Sequence, residues 1–443
     1  MTTTTPPEAT PPRRGLTRHP DFLKLWTAQT ISVFGSQVSA LAIPLVAALI
    51  LHVDPFAFAL LGTIEFLPFI LFTLPAGAWV DRLRRRPILI SGDLGRAIAL
   101  ASIPLVYAIN PAALTIWQLY VVGFITGTLT VFFDVADQSY LPSVVERDQL
   151  IEGNSKLQIS QSAAQIAGPG IAGYLISFFR APFAILLDSL SFVVSAFFVF
   201  LIRRPEPPVE RHVDESGKHP SFFAEVRDGI SFVVRNPSLR GIAAGTSTSN
   251  LFGNLGGAIV LLYIVNELKL SPEQIGLVFA LGNIGALVGA LTANRIAGWF
   301  GLGPTIVGSL FLGVFFPLLI AIAPVDNSIP FLVAGGMFGG LSQMVYNINQ
   351  VSYRQAICPP RMQGRMNATM RFLVWGTIPI ANIIGGILGS TIGLHNTLWV
   401  SAILSFIPAI FPFLSPIRRV RVMPTQVEDE PTATTLAQPG PGS

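Results

Sequence analysis

The chain has 443 residues, of which 51% are hydrophobic and only 12% charged, with a formal net charge of +4. Soluble globular chains carry roughly 25% charged residues, so this composition excludes a set of water-soluble domains and points to an integral membrane protein. The positive balance does not indicate nucleic-acid binding, because the basic residues flank apolar runs instead of interleaving with aromatics. The single Cys358 excludes an internal disulfide framework, and no Cys/His cluster has zinc-ligand spacing.

Residues 1–20 lack the apolar centre of a secretory signal and read as a disordered cytoplasmic tail. A helix crossing about 30 Å of hydrocarbon needs about 20 mostly apolar residues. That window predicts six spans in the first half, near 22–50, 57–80, 88–109, 113–134, 158–178 and 183–202. After a hydrophilic segment at 203–240 it predicts six more, near 241–266, 274–298, 304–324, 328–349, 370–392 and 396–414. The expected organisation is therefore a tail (1–20), a six-helix bundle (21–202), a cytoplasmic linker (203–240), a second six-helix bundle (241–416) and a disordered cytoplasmic tail (417–443).

Cytoplasmic loops retain Lys and Arg. With the N-terminus inside, only Arg180 and Lys269 of the 28 basic residues fall on the outer side. An even number of spans returns the C-terminus to the cytoplasm.

The halves also match one another. "DQSYLPSVVERDQLIEGNSKL" resembles "QVSYRQAICPPRMQGRMNATM", which sets Ser139 and Tyr140 on Ser352 and Tyr353, and Asn154 on Asn367. Gly173 falls against Gly389 and Phe192 against Phe406 at nearly the same offset. Two six-span halves in parallel repetition suit a rocking-bundle transporter with a site near the midplane.

Between spans 2 and 3 the apolar run stops at "GAWVDRLRRRPILI". Gly77, Asp81, Arg82, Arg85 and Arg86 match the pattern G-x-x-x-D-R-x-G-R-R, with Arg84 in place of the second glycine. On these residues the chain resembles the major facilitator superfamily. "FLKLWTAQTISVFGSQVSALAIPL", "FFDVADQSYLPSVV", "IAGPGIAGYL" and "LLDSLSF" resemble, more narrowly, the branch containing bacterial enterobactin exporters and macrolide efflux proteins. The resemblance implies an all-α integral membrane fold of twelve transmembrane helices in two six-helix bundles related by an internal repeat. It also implies a monomer in the bacterial inner membrane. The arginine that many members carry in span 4 is missing here.

The loop itself has a physical reading. Gly77 allows close approach of spans, and Asp81 can hold an arginine or a helix N-terminus. Arg82, Arg85 and Arg86 can pair with Asp81, Asp134 or Asp137 as a cytoplasmic gate latch, or serve as positive-inside anchors.

Inside the spans, Glu65 lies about eight residues, or about 12 Å, below the outer start of span 2. A carboxylate at that depth costs roughly 3 kcal/mol or more unless it faces a watery cavity or binds a proton, so Glu65 is the first candidate for proton coupling or cation recognition. Asp188, read as near the outer end of span 6 within reach of solvent or Arg180, is the second. Asp93 and Arg96 share a face of span 3 and read as a structural pair.

Polar stripes at helical spacing occur at Gln29, Ser32 and Ser36, at Gln161 and Gln165, at Asn250 and Asn254, and at Gln343, Asn347 and Gln350. Such stripes either join helices or line a cavity. Gln29, Asn250, Asn254, Gln343 and Asn347 are the substrate-cavity candidates, with the first three placed foremost because the resemblance puts spans 1 and 7 at the cavity. Gly168, Pro169, Gly170 and Gly173 resemble the glycine-proline exporter motif of the superfamily, with close helix packing as the plainer alternative. Gly282, Gly285 and Gly289 read as packing positions.

No phosphate-binding G-x-x-x-x-G-K-[ST] loop is present, so an ion gradient is the expected energy source. The leading expectation is a secondary exporter of small amphipathic molecules in exchange for protons, with no cofactor and no metal. The alternatives are a proton-linked importer of the same fold and a non-transporting receptor or enzyme. An enzyme would need an H-E-x-x-H motif or a nucleophile with a base, and none stands out.

Overall fold

The structure, a computed structural model, describes residues 15–80, 82–204, 206 and 230–424. Asp81, most of the expected linker and most of both tails lie outside these residues. The described residues divide into two compact units, Met1–Val46 with Leu67–His212 and Ala47–Phe66 with Val213–Ser443. Residues 47–66 thus group with the second unit, whereas the sequence reading placed them in the first bundle.

The first half builds six helices: α1 (Pro20–Leu49), α2 (Pro55–Val80), α3 (Arg85–Ile109), α4 (Ile116–Val144), α5 (Leu150–Phe179) and α6 (Ala181–Phe200). The second builds α7 (Pro237–Asn266), α8 (Pro272–Phe300), α9 (Leu302–Gly313), α10 (Phe315–Ala321), α11 (Ile329–Ile357), α12 (Pro360–Trp375), α13 (Thr377–Ile392), α14 (Leu394–Leu404) and α15 (Ile407–Leu414). No strand occurs among the described residues.

Three expected spans of the second half are broken pieces: α9 with α10, α12 with α13, and α14 with α15. The cause is proline. Pro317, Pro379 and Pro408 each lack the N–H that would bond the carbonyl four residues earlier, and those carbonyls belong to Gly313, Trp375 and Leu404, the last residues of α9, α12 and α14. The linking residues Val314, Gly376, Ser405 and Phe406 keep right-handed helical dihedrals. Each break therefore interrupts hydrogen bonding without ending the span.

Counting those pieces as continuous, 11 segments among the described residues are long and apolar enough to cross a bilayer. The twelfth crossing is α5, whose 30 residues would extend about 45 Å. A serine beside its polar stripe joins it to α1. Ser160 Oγ accepts from Trp26 Nε1 at 2.8 Å and from Thr30 Oγ1 at 2.9 Å, both on α1.

The repeat is legible in the backbone. His52 and Lys269, 217 residues apart, both adopt positive φ, 47° and 56°. The next residue in each case, Val53 or Leu270, bonds back to Ala47 O at 3.2 Å or Ile264 O at 3.3 Å. A proline then opens the following helix behind an N-cap: Asp54 Oδ1 accepts from Phe56 N at 2.9 Å, and Ser271 Oγ from Gln274 N at 3.3 Å.

In the first unit a buried cluster containing Phe22, Leu25, Leu89, Tyr140, Leu141 and Val199 ties α1, α3, α4 and α6 together. In the second, Leu239, Ile306, Tyr346, Tyr353, Met366 and Met370 are among the residues of the corresponding core. There α8 and α11 cross at backbone contact, as the glycine spacing predicted. A β-carbon on Gly285 would lie 2.0 Å from the Met337 carbonyl oxygen, and one on Gly289 2.9 Å from that of Leu341. Large side chains such as Ile98, Leu105, Trp117 and Phe178 are exposed, as expected where lipid replaces water.

Candidate functional site

The first unit brings charged residues of three helices together away from the charged loop. Arg96 is the twelfth residue of α3, about 16 Å along it. Its Nη2 donates to Asp93 Oδ1 at 2.5 Å and its Nη1 to Thr130 Oγ1 at 3.5 Å. The guanidinium carbon lies 4.2 Å from the Phe133 ring centroid and 4.1 Å from that of Phe192. Two aromatic faces thus hold the cation in place, and the site is desolvated: Asp93 is 0% exposed and Arg96 5%.

Asp134 and Asp137 on α4 and Asp188 on α6 lie within electrostatic range of Arg96. Asp188 is buried at 1% exposure, which corrects the expectation that it reaches solvent or Arg180. Its Oδ1 accepts from Ser191 Oγ at 3.1 Å. A β-carbon on Gly35 of α1 would stand 2.7 Å from that same oxygen, so the glycine makes room for the carboxylate. The hydroxyls of Ser39 and Ser195 face Asp188 and Asp93 without closing a hydrogen bond. Asp93 Oδ2 and Arg96 Nε are likewise buried without a partner.

One carboxylate, that of Asp93, therefore pairs with the guanidinium, and three more lie within electrostatic range of it. Two of these carboxylates, Asp93 and Asp188, are buried with one cation between them, and burial disfavours an unpaired ionised group. Sequence reasoning named the carboxylates but divided them among a structural pair (Asp93 with Arg96), a coupling candidate (Asp188) and a gate (Asp134 and Asp137). It missed Ser39, Ser191 and Ser195, although Asp188, Ser191 and Ser195 repeat at the spacing of one helical face.

The gate candidates pair differently from the expectation in this structure. Asp137 accepts a short hydrogen bond from Gln29 Nε2, joining a cavity candidate to a latch candidate. Asp134 is exposed, and among the described residues neither aspartate pairs with Arg82, Arg85 or Arg86. The partner of Arg85 and Arg86 among the described residues is Glu206. Its carboxylate accepts from the backbone N–H of Arg85 at 2.8 and 3.0 Å and of Arg86 at 3.4 Å, and lies 3.4 Å from Arg85 Nη1. An anion at the start of α3 satisfies orphan N–H groups and the helix dipole together. Arg86 Nη2 donates to Phe200 O at 2.5 Å, while Arg82 is exposed. Gly77 has nothing within 4 Å of a built β-carbon, so no close helix contact rests on it here. Asp81 is outside the described residues.

Of the motif on α5, Gly168 is a contact point, since a β-carbon there would meet Gln37 Cγ at 2.4 Å. Gly173 is buried, and Pro169 and Gly170 are half-buried within the same helix.

In the second unit, Asn250 Nδ2 donates to Thr246 O at 3.0 Å and Asn254 Nδ2 to Asn250 O at 2.8 Å. A carbonyl partner requires the NH2 end of each amide, which leaves both side-chain oxygens available as acceptors. Gln343 and Asn347 are exposed, and Asn347 Oδ1 accepts from Gln350 Nε2 at 3.1 Å. Glu65 belongs to this unit and is half-buried. The structure therefore separates the two coupling candidates, Asp188 and Glu65, into different units.

Comparison with known proteins places this geometry in a family. The chain is 25% identical over 407 residues to macrolide efflux protein A of Streptococcus pyogenes, covering 90% of this chain and 97% of that protein. It is 24% identical over 363 residues to the enterobactin exporter EntS of Salmonella typhi, covering 80% and 81%. A crystal structure of a bacterial homologue of the iron transporter ferroportin in its inward-facing state superposes with a TM-score of 0.73 at 16% identity, covering 90% of this chain and 99% of that one. The Major Facilitator Superfamily model matches twice, at residues 25–253 and 241–438. The chain is a multi-pass membrane transporter that belongs to the Major Facilitator Superfamily.

Proposed function

We propose that this chain is a secondary active efflux transporter that exports small amphipathic molecules in exchange for protons by alternating access. The observation that carries the coupling is the buried group of Asp93, Arg96 and Asp188, with the half-buried Asp137 and the exposed Asp134 within electrostatic range of the same guanidinium. Its excess of carboxylates over cations gives protons a place to bind, and Arg96 is the counter-ion that can pair with whichever carboxylate is ionised. This arrangement offers a substitute for the missing span 4 arginine, one helix away.

Export is supported by the relatives, which are named for macrolide efflux and enterobactin export, and by the glycine contact between α5 and α1. Of the latch, Arg85, Arg86 and Glu206 form the part we assign to a cytoplasmic gate. The basic-residue distribution supports a bacterial inner-membrane protein with both termini cytoplasmic, and the family fold suits a monomer.

The test uses inside-out vesicles with an acid interior. A panel of macrolides, siderophores and dyes is added and collapse of the gradient is recorded for wild type, Asp188→Asn and Asp93→Asn. Substrate-evoked proton release by wild type that both variants lack supports the assignment. Release that persists in both variants removes these aspartates from coupling, and no release with any compound counts against proton exchange.

A further inference from the structure

His395 is the second residue of α14, directly after the one-residue link at Gly393. Its side chain is exposed, yet both of its ring nitrogens are engaged. Trp399, one turn further along α14, donates its Nε1–H to His395 Nε2 at 3.1 Å. On the other side the hydroxyl of Tyr263, on α7, lies 3.1 Å from His395 Nδ1. The imidazole is tilted by 32° to the Tyr263 ring with centroids 5.8 Å apart, and stands edge-on to Trp399 at 6.5 Å and 78°. Tyr263 is 2% exposed, so the exposed histidine is tied to a residue fixed inside its unit.

The contact between α7 and α14 has a second, deeper tie. Ser401 Oγ donates to Phe252 O at 2.7 Å, and a β-carbon on Gly256 would lie 2.6 Å from that hydroxyl oxygen. A bond from serine to a carbonyl does not change with pH, whereas the His395 contacts do. An indole N–H can only donate, so Nε2 must present its lone pair. The single proton of the neutral ring then belongs on Nδ1, where the Tyr263 oxygen accepts it. A second proton can enter only at Nε2. Two N–H groups would then face each other across 3.1 Å, and Trp399 has no acceptor to offer in exchange, while the Tyr263 bond survives. The position also opposes a cation, because the first turn of a helix carries the positive end of its dipole.

Few other charges face the ring. α14 carries no other titratable side chain, and α10 and α13, which pack against it, carry none. α7 contributes Tyr263 itself and Glu267, the residue that follows the helix and acts on Tyr263 electrostatically. The turn before α2, which carries His52 and Asp54, meets the end of α13, where Phe56 N donates to Ser390 Oγ at 3.1 Å.

We propose that His395 is a protonation switch on the contact between α7 and α14. Neutral, it holds Tyr263 and Trp399 at once; protonated, it keeps Tyr263 and releases Trp399. With the N-terminus cytoplasmic, this end of α14 faces the outside, so the contact responds to the acidity from which an exchanger draws its protons. That placement rests on the export reading, whereas the switch itself does not.

The test is the indole N–H resonance of Trp399 in the full-length protein, carrying isotope-labelled tryptophan, in detergent. No gradient is present, so the outcome is independent of proton exchange. Trp399→Phe identifies the signal. Lowering the pH from about 8 to about 5, the range in which histidine changes charge, should shift it upfield in a one-proton transition, as an N–H that loses its acceptor does. His395→Gln should abolish that shift, and the remaining indole signals, unmoved by the substitution, show an intact fold. His52→Gln should leave the transition in place. A wild-type signal that stays fixed over this range, a transition that persists in His395→Gln, or one that vanishes in His52→Gln would each overturn the proposal.

Discussion

Arg180 and Gly393 hold the same position in the two halves, 213 residues apart, as the single residue between consecutive helices. Their dihedrals are φ 65°, ψ 151° and φ 88°, ψ 161°. That region of backbone space is nearly reserved for glycine, and another residue there costs about 1–3 kcal/mol. Arg180→Gly should therefore raise the melting temperature in detergent, by a stability gain of about 1 kcal/mol or more. Gly393→Ala should lower it, since it recreates at the second link the strain that the first already carries.

Arg96 should be irreplaceable by a smaller residue. Arg96→Ala leaves Asp93 buried without its partner, and breaking a buried pair costs about 3–5 kcal/mol. Loss of substrate-evoked proton release and of monodisperse protein on size exclusion is expected. Arg96→Lys keeps the charge but not the planar group between Phe133 and Phe192, so folding should recover more than transport does. Equal transport by Lys and Arg proteins would show that the charge alone suffices.

The crossing of α8 and α11 predicts a contrast between two glycines. Gly285→Ala puts a methyl 2.0 Å from the Met337 carbonyl oxygen, and that neighbour is backbone. The helices must separate, at a cost of about 1–3 kcal/mol by analogy with overpacked cores. Gly308→Ala on α9 meets nothing within 4 Å, so its effect should stay below about 1 kcal/mol. Thermal unfolding of both proteins in one detergent is the check.

Glu206 should be worth about 1 kcal/mol as a cap on α3. Glu206→Ala removes the acceptor from two N–H groups and the partner of Arg85 Nη1. Hydrogen exchange should quicken at the Arg85 and Arg86 amides, with little change deeper in α3. Unchanged exchange at those amides would remove Glu206 from the latch.

Much of the architecture could be read from the chain because its causes are local. Hydropathy over about 20 residues locates each crossing, and the offset matches of Ser139, Tyr140 and Asn154 foreshadow a repeat that the backbone carries at His52 and Lys269. The spacing of Gly282, Gly285 and Gly289 announced a close contact. Even the helix breaks of the second half follow from Pro317, Pro379 and Pro408, through the missing N–H of each.

What needed the tertiary structure was the identity of each charge's partner. A helix's rotation about its own axis is set by its neighbours, and one residue's step of about 100° can turn a side chain from lipid to interior. Hence Asp137 meets Gln29, 108 residues away, and not the arginines of the α2–α3 loop. Those arginines meet Glu206, from a segment that read only as linker. Arg96 gathers carboxylates from α3, α4 and α6 because those helices pack side by side, whereas Glu65 falls in the other unit. The sequence by itself determined which residues must cross the membrane and where the chain turns, because apolar length and missing N–H groups act within a few residues. Only packing decided which buried charges face one another, because that depends on helices brought together across a hundred residues or more.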